Sequence, residues 1–262
     1  MADSLRFDSY DLSGTSYGLK VLEDSFPLMA APMIDTRQIA QGFGGVSRHD
    51  GYGSLSIPVP ALIIGDSVSD LWSKMDAIKL LMDPNNGEKN LQFDFIPNRY
   101  WKAILSSPLE MPGPGVTWKR VQMEFLASDP RAYSTSDRST PDFTINSTPD
   151  QFTEAVAGTA TADPIWIVKA GASVTSVILE NATTGESVTW TGTLSSGHWL
   201  KFNTVLGTIE KSTDSGANYT NVATGITGSF VLPKLRGGFT NTINVTGVSA
   251  GTLTLTYTAR YI

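Results

Sequence analysis

The stretch DSVSDLWSKMDAIKLLM, residues 66–82, is the one amphipathic helical pattern in the chain. Val68, Leu71, Trp72, Met75, Ile78 and Met82 recur at helical spacings, which places them on one stripe of a helix. Asp66 or Ser67 stands where an N-cap is needed, and Ser67 with Asp70 has capping-box spacing. Pro84 and the pair Asn86-Gly87 stop the run. Ser69, Lys74, Asp76 and Lys79 fall on the other side. The pattern therefore predicts a helix with one dry face, Leu71 and Trp72 turned to a sheet and Lys74 turned to solvent.

The flanks say what the helix lies on. In GSLSIPVPALII, residues 53–64, Leu55, Ile57 and Val59 alternate, and in LQFDF, residues 91–95, Leu91, Phe93 and Phe95 do the same. Alternation with a period of two is the mark of a strand with one buried face. A helix between such strands packs on a sheet or closes its end. Further towards the N-terminus, Leu5 and Phe7 alternate, and Gly14 and Gly18 bracket a turn before the apolar run of Leu19, Val21 and Leu22. FPLMAAPMI, residues 26–34, is broken by Pro27 and Pro32 and suits an irregular segment or an edge strand. Gly42, Gly44, Gly45, Gly51 and Gly53 make the next section read as flexible, with Arg48, His49 and Asp50 exposed. Beyond the helix, Pro108, Pro112 and Pro114 mark a loop. WKRVQMEFLA, residues 118–127, is a clear strand with Val121, Met123, Phe125 and Ala127 inward.

At residue 134 the character changes. STSDRSTPDFTINSTPD, residues 134–150, is rich in Ser, Thr, Asp and Pro. Residues 134–163 accordingly read as a linker or arm between a domain over residues 1–133 and another over residues 164–262. The second domain has no helical pattern. Strands are predicted at 165–168, 174–180, 187–190, 199–203, 230–232, 242–245 and 252–261, parted by Thr184-Gly185, Ser196-Gly197, Ser215-Gly216 and Gly237-Gly238. The expected fold is mainly β: two β-sandwich domains, the first carrying helix 66–82 and the second a sandwich or jelly roll.

Composition narrows the function. The 25 acidic and 19 basic residues give a formal charge of −6, which argues against sequence-independent nucleic-acid binding. No apolar run approaches the ~20 residues of a membrane helix. The N-terminal MADSLRFDSYDLSG lacks a signal-peptide pattern, so synthesis in a cytoplasm is expected. With no cysteine, disulfides and thiolate metal sites are excluded.

The motifs that could carry chemistry are weak in context. Gly14-Thr15-Ser16-Tyr17-Gly18 spells a nucleophile elbow, but a strand-like run follows it where a helix is required, and only His49 and His198 could serve as base. Gly42-Phe43-Gly44-Gly45 matches neither phosphate-binding glycine motif. Asp214, Gly216 and Asn218 echo a calcium loop without its closing glutamate, and a turn is the better reading. The sequons at Asn146, Asn181, Asn218 and Asn244 are expected by chance in a Thr-rich chain. Trp166, Trp190 and Trp199 are the candidates for a sugar-stacking surface, although on alternating strands tryptophans serve the core. No catalytic residue, cofactor site or metal site is assigned, and no enzyme activity is expected.

Taken in order, several stretches resemble the siphophage distal tail protein family, the ring at the tip of a long non-contractile tail. They are SIPVPALIIG at 56–65, the helix DLWSKMDAIKLLM, LQFDFIPNRYWKAIL at 91–105, and WKRVQMEFLASDPRAYS at 118–134 with its Asp129-Pro130-x-x-Tyr133 ending. In the second half PIWIV, ENATTGESVTW, LSSGHWLKF, GFTNTINV and LTLTYTARY fit the same family. Pro233-Lys234-Leu235-Arg236-Gly237-Gly238 departs from its usual Leu-x-Pro-Gly approach to the next strand.

The resemblance implies a tail-tube-like first sandwich forming a homohexameric ring around a channel, and a galectin-like second sandwich outside it. It implies as partners the tail tube protein, the tail-tip hub protein and the tape measure protein, with DNA only passing through, in a virion tail tip. Ring contacts are expected over residues 55–133. An alternative is a host-surface glycan-binding adhesin using the second sandwich.

Overall fold

The computed structural model describes residues 4–22, 26–27, 29–38, 45–109 and 116–262. The chain divides into two compact units, with the boundary between Ala132 and Tyr133.

Unit 1 contains β1 (Leu5–Phe7), β2 (Tyr10–Asp11), β3 (Leu19–Val21), β4 (Pro32–Gln38), β5 (Gly45–Tyr52) and β6 (Leu55–Ile64). These are followed by α1 (Val68–Leu81), β7 (Lys89–Phe93), β8 (Arg99–Leu105) and β9 (Trp118–Ala127). β3, β6 and β9 form one antiparallel run, and β2, β1, β7 and β8 another. The two runs share β8, which also pairs with β9. Alternation makes the core. Leu55, Ile57, Val59, Ala61 and Ile63 of β6 and Val121, Met123, Phe125 and Ala127 of β9 are all buried, and Phe7 meets Phe125 with ring centroids 5.5 Å apart.

The helix forms where the sequence predicts, but rotated. Ser67 is its N-cap and accepts from the Asp70 N–H, while Asp70 accepts from the Asp66 N–H. Leu71, Met75, Ile78 and Met82 are buried as expected. Trp72 is not: it is 48% exposed, as is Val68 at 46%. Lys74, expected in solvent, lies inside at 8% exposure. The reason is that a lysine has a long apolar stem. The Lys74 stem packs beside Gly18 while its ammonium donates to the Ile64 carbonyl at 3.2 Å and pairs with Asp70 at 2.7 Å. Counting Lys74 as polar turned the predicted stripe by about one position.

Pro58 and Pro60 stand inside β6, which has strands on both sides. The Ile64 N–H donates to the Gly18 carbonyl and the Pro60 carbonyl accepts from the Leu22 N–H, so even-numbered residues face β3. β3 pairs only with Ala61–Ile63. The two prolines therefore lack their N–H on the side where β3 has ended, and the ladder to β9 keeps all its donors.

β4 and β5 form a hairpin that pairs with no other strand among the described residues. The reading of the glycine-rich section as flexible is corrected over Gly45–Tyr52, which is strand β5. Residues 47–50 are all exposed, so no alternation marks it. Gly42, Gly44, Pro112 and Pro114 lie outside the described residues.

Unit 2 contains β10 (Ala132–Ser139), β11 (Phe143–Ile145), β12 (Asp150–Ala155), β13 (Ile165–Ala170), β14 (Val174–Asn181) and β15 (Glu186–Leu194). β16 (Trp199–Asn203), β17 (Thr208–Ser212), β18 (Thr220–Asn221), β19 (Thr240–Thr246) and β20 (Gly251–Tyr261) complete it. One sheet runs β18-β17-β16-β13-β20 with β10 and β11 along β20, and the other runs β12-β19-β14-β15. Between them lies one core that includes Trp166, Val177, Leu179, Phe202, Ile243 and Leu255. The mainly β, two-domain class is the one found.

Three local expectations are corrected. Residues 134–163 are no linker. β11 pairs with β20 and β12 with β19, Ile145 is 1% exposed, and Phe143 stacks on Phe152 at 5.0 Å. Its Ser, Thr and Asp side chains have partners on β20: Asp137 with Thr258, Ser139 with Thr256 and Asp142 with Thr254. Residues 230–232 are not a strand. They run into Pro233, whose carbonyl accepts the Trp166 indole N–H at 3.1 Å. Phe95, expected on the inward face of its strand, follows the end of β7 and is 44% exposed.

The Pro233–Gly238 passage has its own device. Buried Asn241 accepts from the Arg236 N–H and donates to the Arg236 and Phe239 carbonyls, and buried Asn181 donates to the Lys234 carbonyl. Gly237 lies so close to the Ala160 carbonyl that a Cβ would sit 2.2 Å from its oxygen.

Candidate assembly surface

The sequence motifs with chemical potential come apart in the structure. Gly14–Gly18 is a turn, with Tyr17 and Gly18 N–H groups donating to the Gly14 carbonyl, and it leads into β3. A nucleophile elbow needs a helix there. His49 stands in the β4–β5 hairpin, its ring against Tyr52 at 5.0 Å, and His198 precedes β16 in unit 2. The Asp214 carboxylate is used inside its own turn. It accepts from Ser212 Oγ at 2.6 Å, the Asn218 N–H at 2.9 Å and Asn218 Nδ2 at 2.6 Å, which together hold its pKa at about 2. Among the described residues no cluster of His, Asp and Glu is spaced to hold a metal ion.

The tryptophans do not share a face. Trp166 and Trp190 are core, and their indole N–H groups donate to the Pro233 and Val222 carbonyls. Trp199 is half-buried, with the Lys169 ammonium 4.9 Å from its ring centroid and Gly216 pressed against the ring. A sugar ring needs an open aromatic face, and Trp199 already has Lys169 and Gly216 against its ring.

What unit 1 does expose is apolar surface and an unpaired hairpin. Val68 and Trp72 stand one turn apart on the outer side of α1. Trp118, 46% exposed, pairs in register with Ile64, just before the helix, and Val116 beside it is 71% exposed. The outer face of β9 continues with Arg120, Gln122 and Glu124, and a shallow cleft there is lined by Pro58, Ser107, Pro108, Gln122 and Glu124. Exposed aromatic and aliphatic side chains are what a protein interface draws on.

The hairpin is the second component. β4 and β5 pair from Pro32↔Tyr52 to Gln38↔Gly45 with one irregularity after Met33. Residues 31–37 and 47–50 are exposed, including Met33 and Ile34 at 49% and 57%. Asp35 faces Arg48 across the ladder, Arg37 lies 3.5 Å from Asp35 and Arg48 2.8 Å from Asp50. Such surface pairs contribute ~0–1 kcal/mol each. A two-stranded hairpin without a covered face is marginal in water, and among the described residues this one pairs with no further strand. Trp72 and Trp118 lie within residues 55–133, where the resemblance places ring contacts, although the helical pattern turns Trp72 to the sheet. The hairpin lies outside that range and has neither alternation nor a two-residue turn signal.

The whole chain aligns with solved phage structures. The crystal structure of SPP1 Dit (gp 19.1), described as a paradigm of the hub adsorption apparatus in phages infecting Gram-positive bacteria, matches with a TM-score of 0.81, 15% identity and 100% of both chains covered. A chain of the phage P2 baseplate in its activated conformation with calcium matches with a TM-score of 0.52, 8% identity and 98% of both chains covered. No family model matches the chain, and no curated protein does. At these identities the likeness is one of fold, and the fold is the one that the resemblance in sequence implied.

Proposed function

We propose that the chain is a structural protein of a phage tail tip, a distal tail ring that joins the tail tube to the hub of the adsorption apparatus. The observation that carries this reading is the match to SPP1 Dit along both units. The unpaired β4–β5 hairpin and the exposed Val68, Trp72 and Trp118 support it, because a ring subunit has to offer two different patches to its neighbours. The ring is a homohexamer built by unit 1, with unit 2 outside. It meets the tail tube protein on one side and the hub protein on the other, and the tape measure protein occupies its channel before DNA passes. The proline edge of β6 suits this role: it denies hydrogen-bond donors to a stray strand and so suppresses open-ended pairing. An acidic chain also fits, since carboxylates facing a channel would not hold DNA by counterion release. The reading includes no enzymatic step.

Native mass spectrometry of the whole chain, alone and mixed with tail tube and hub proteins, tests it. A six-fold species, alone or on a partner, is expected, because closed rings leave few stable intermediates. A chain that stays monomeric at high micromolar concentration with both partners present overturns the proposal.

A further inference from the structure

The β4–β5 hairpin carries no core of its own, yet its root is held. Phe26 lies six residues before β4, half-buried among three aromatic side chains of unit 1. Its ring centroid is 4.9 Å from Trp101, 5.3 Å from Phe93 and 6.0 Å from Phe95. Phe93 and Trp101 are core residues of β7 and β8, whereas Phe95 is 44% exposed on the turn after β7. Phe93 also meets Phe95 at 5.1 Å, so the four rings form one continuous group in tilted and edge-on contacts. Closer to the hairpin, Ala30 is buried and the Ala31 carbonyl accepts the Gly53 N–H at 3.0 Å, which joins the two legs. Ala30 fixes a position but, as a small side chain, gives little resistance to tilting. Among the described residues of the β4 leg, Phe26 is the large side chain with several aromatic contacts.

We propose that Phe26 is an aromatic latch that holds the β4–β5 hairpin in one pose on the free subunit, so that it meets the neighbouring copy preformed. This deepens the ring reading and rests on it for the identity of the neighbour. The physical basis is the cost of ordering. A hairpin free to swing loses that freedom when it docks, and docking weakens accordingly. A latch removes the loss in advance. Edge-on and tilted aromatic pairs suit the task because each adds a directional preference to area burial. Phe26 is thus a positioning residue, acting through the hairpin and touching no partner itself.

The chain has no cysteine, so labels placed at Thr36→Cys on the hairpin and Lys79→Cys on the helix report one distance without background. Pulsed electron-spin measurements on the monomeric whole chain should give a narrow distance distribution for this pair. Phe26→Ala should broaden it about twofold, and Phe26→Tyr, which keeps the ring contacts, should restore it. Phe95→Ala is the second variant: it removes one wall of the latch at an exposed position and keeps the core intact if Phe26→Ala lowers folding yield. Ring formation by native mass spectrometry should fall about tenfold in both alanine variants at equal concentration, as expected for a lost preorganisation.

Distributions that coincide with the parent's overturn the latch. Broad distributions with unchanged ring yield overturn its role in assembly while leaving the ring reading intact. If the parent forms no ring with its partners, the ring reading fails, and the distances on the monomer still decide whether Phe26 fixes the hairpin.

Discussion

Residues 32–52 and 134–163 look alike in sequence: both lack apolar alternation, and both are interrupted by Gly, Pro, Ser or Asp. Both contribute strands: Pro32–Gln38 and Gly45–Tyr52 in the first, β10, β11 and β12 in the second. They differ in where their partners are. β10, β11 and β12 find theirs on β20 and β19 of the same unit, with Ile145 and Val156 buried in its core. Among the described residues the β4–β5 hairpin pairs only with itself. A polar strand is thus stable in one place because a chain segment far off in sequence completes its ladder. In the other, the completing surface belongs to another subunit, on the ring reading.

The sharpest way to break this comparison is a matched pair of charges. Ile145→Asp places an unpaired carboxylate in the core of unit 2 and should destabilise it by about 3 kcal/mol or more. Ile34→Asp in the hairpin, at a position 57% exposed, should leave the monomer within about 0.5 kcal/mol of the parent. Denaturant melts of the two variants decide it: equal losses would mean that the hairpin is part of a folded core after all.

The helix gives the next largest effect. Lys74→Ala strips a buried stem, leaves the Ile64 carbonyl without its ammonium donor, and should cost about 1–2 kcal/mol. Trp72→Ala, on the open side, should cost about 0.5 kcal/mol or less in the monomer and show itself in assembly. The opposite ranking in thermal melts would restore the stripe read from the sequence.

Much of this fold was legible because burial wrote itself into alternation. β6, β9, β13, β16 and β20 were placed from apolar residues at every second position, and α1 from its stripe and Ser67 cap. What stayed hidden had a physical reason in each case. Lys74 is polar by name and apolar by most of its length. β10 and the residues leading into β11 meet β20 through hydroxyls and carboxylates, a composition shared with linkers. Thr208–Ser212 is a strand of mixed character with Ile209 its only buried large residue. The candidate interface was least legible. An exposed Trp72 or Trp118 differs from a buried one by its surroundings alone, and those are set by the fold.

A smaller effect separates the units by pH. The Tyr257 hydroxyl donates to Glu154 Oε1 at 3.2 Å inside unit 2, and Arg138 pairs with the same carboxylate at 2.9 Å. Burial first, and then the Glu154 charge, push the Tyr257 pKa up to about 12. Below the ordinary tyrosine pKa of about 10 both folded and unfolded chains keep the proton, so stability is unaffected. Between about 10 and 12 the unfolded chain releases it first, and stability falls as pH rises. Tyr257→Phe should flatten that part of the pH–stability curve, read as a difference from the parent. Parallel curves in this window would mean that Tyr257 ionises as freely in the fold as in the open chain.

The smallest expected effect lies in the hairpin's charges, and it tests the comparison from the other side. Asp35 faces Arg48 across the ladder and both are exposed. Exposed pairs gain little in water, are screened by salt, and lose side-chain freedom when they form. Asp35→Ala with Arg48→Ala should therefore shift the monomer's melting midpoint by an amount equivalent to about 0.5 kcal/mol or less, at low and at high salt. The same double variant should weaken the assembled ring more than the monomer if these charges meet complementary ones on the neighbour, because a pair closed off from water is screened less. Sedimentation of the parent and the variant with their tail partners, run at two salt concentrations, measures that difference. A large loss in the monomer alone would show the hairpin to be held by its own charges and would remove the contrast with residues 134–163.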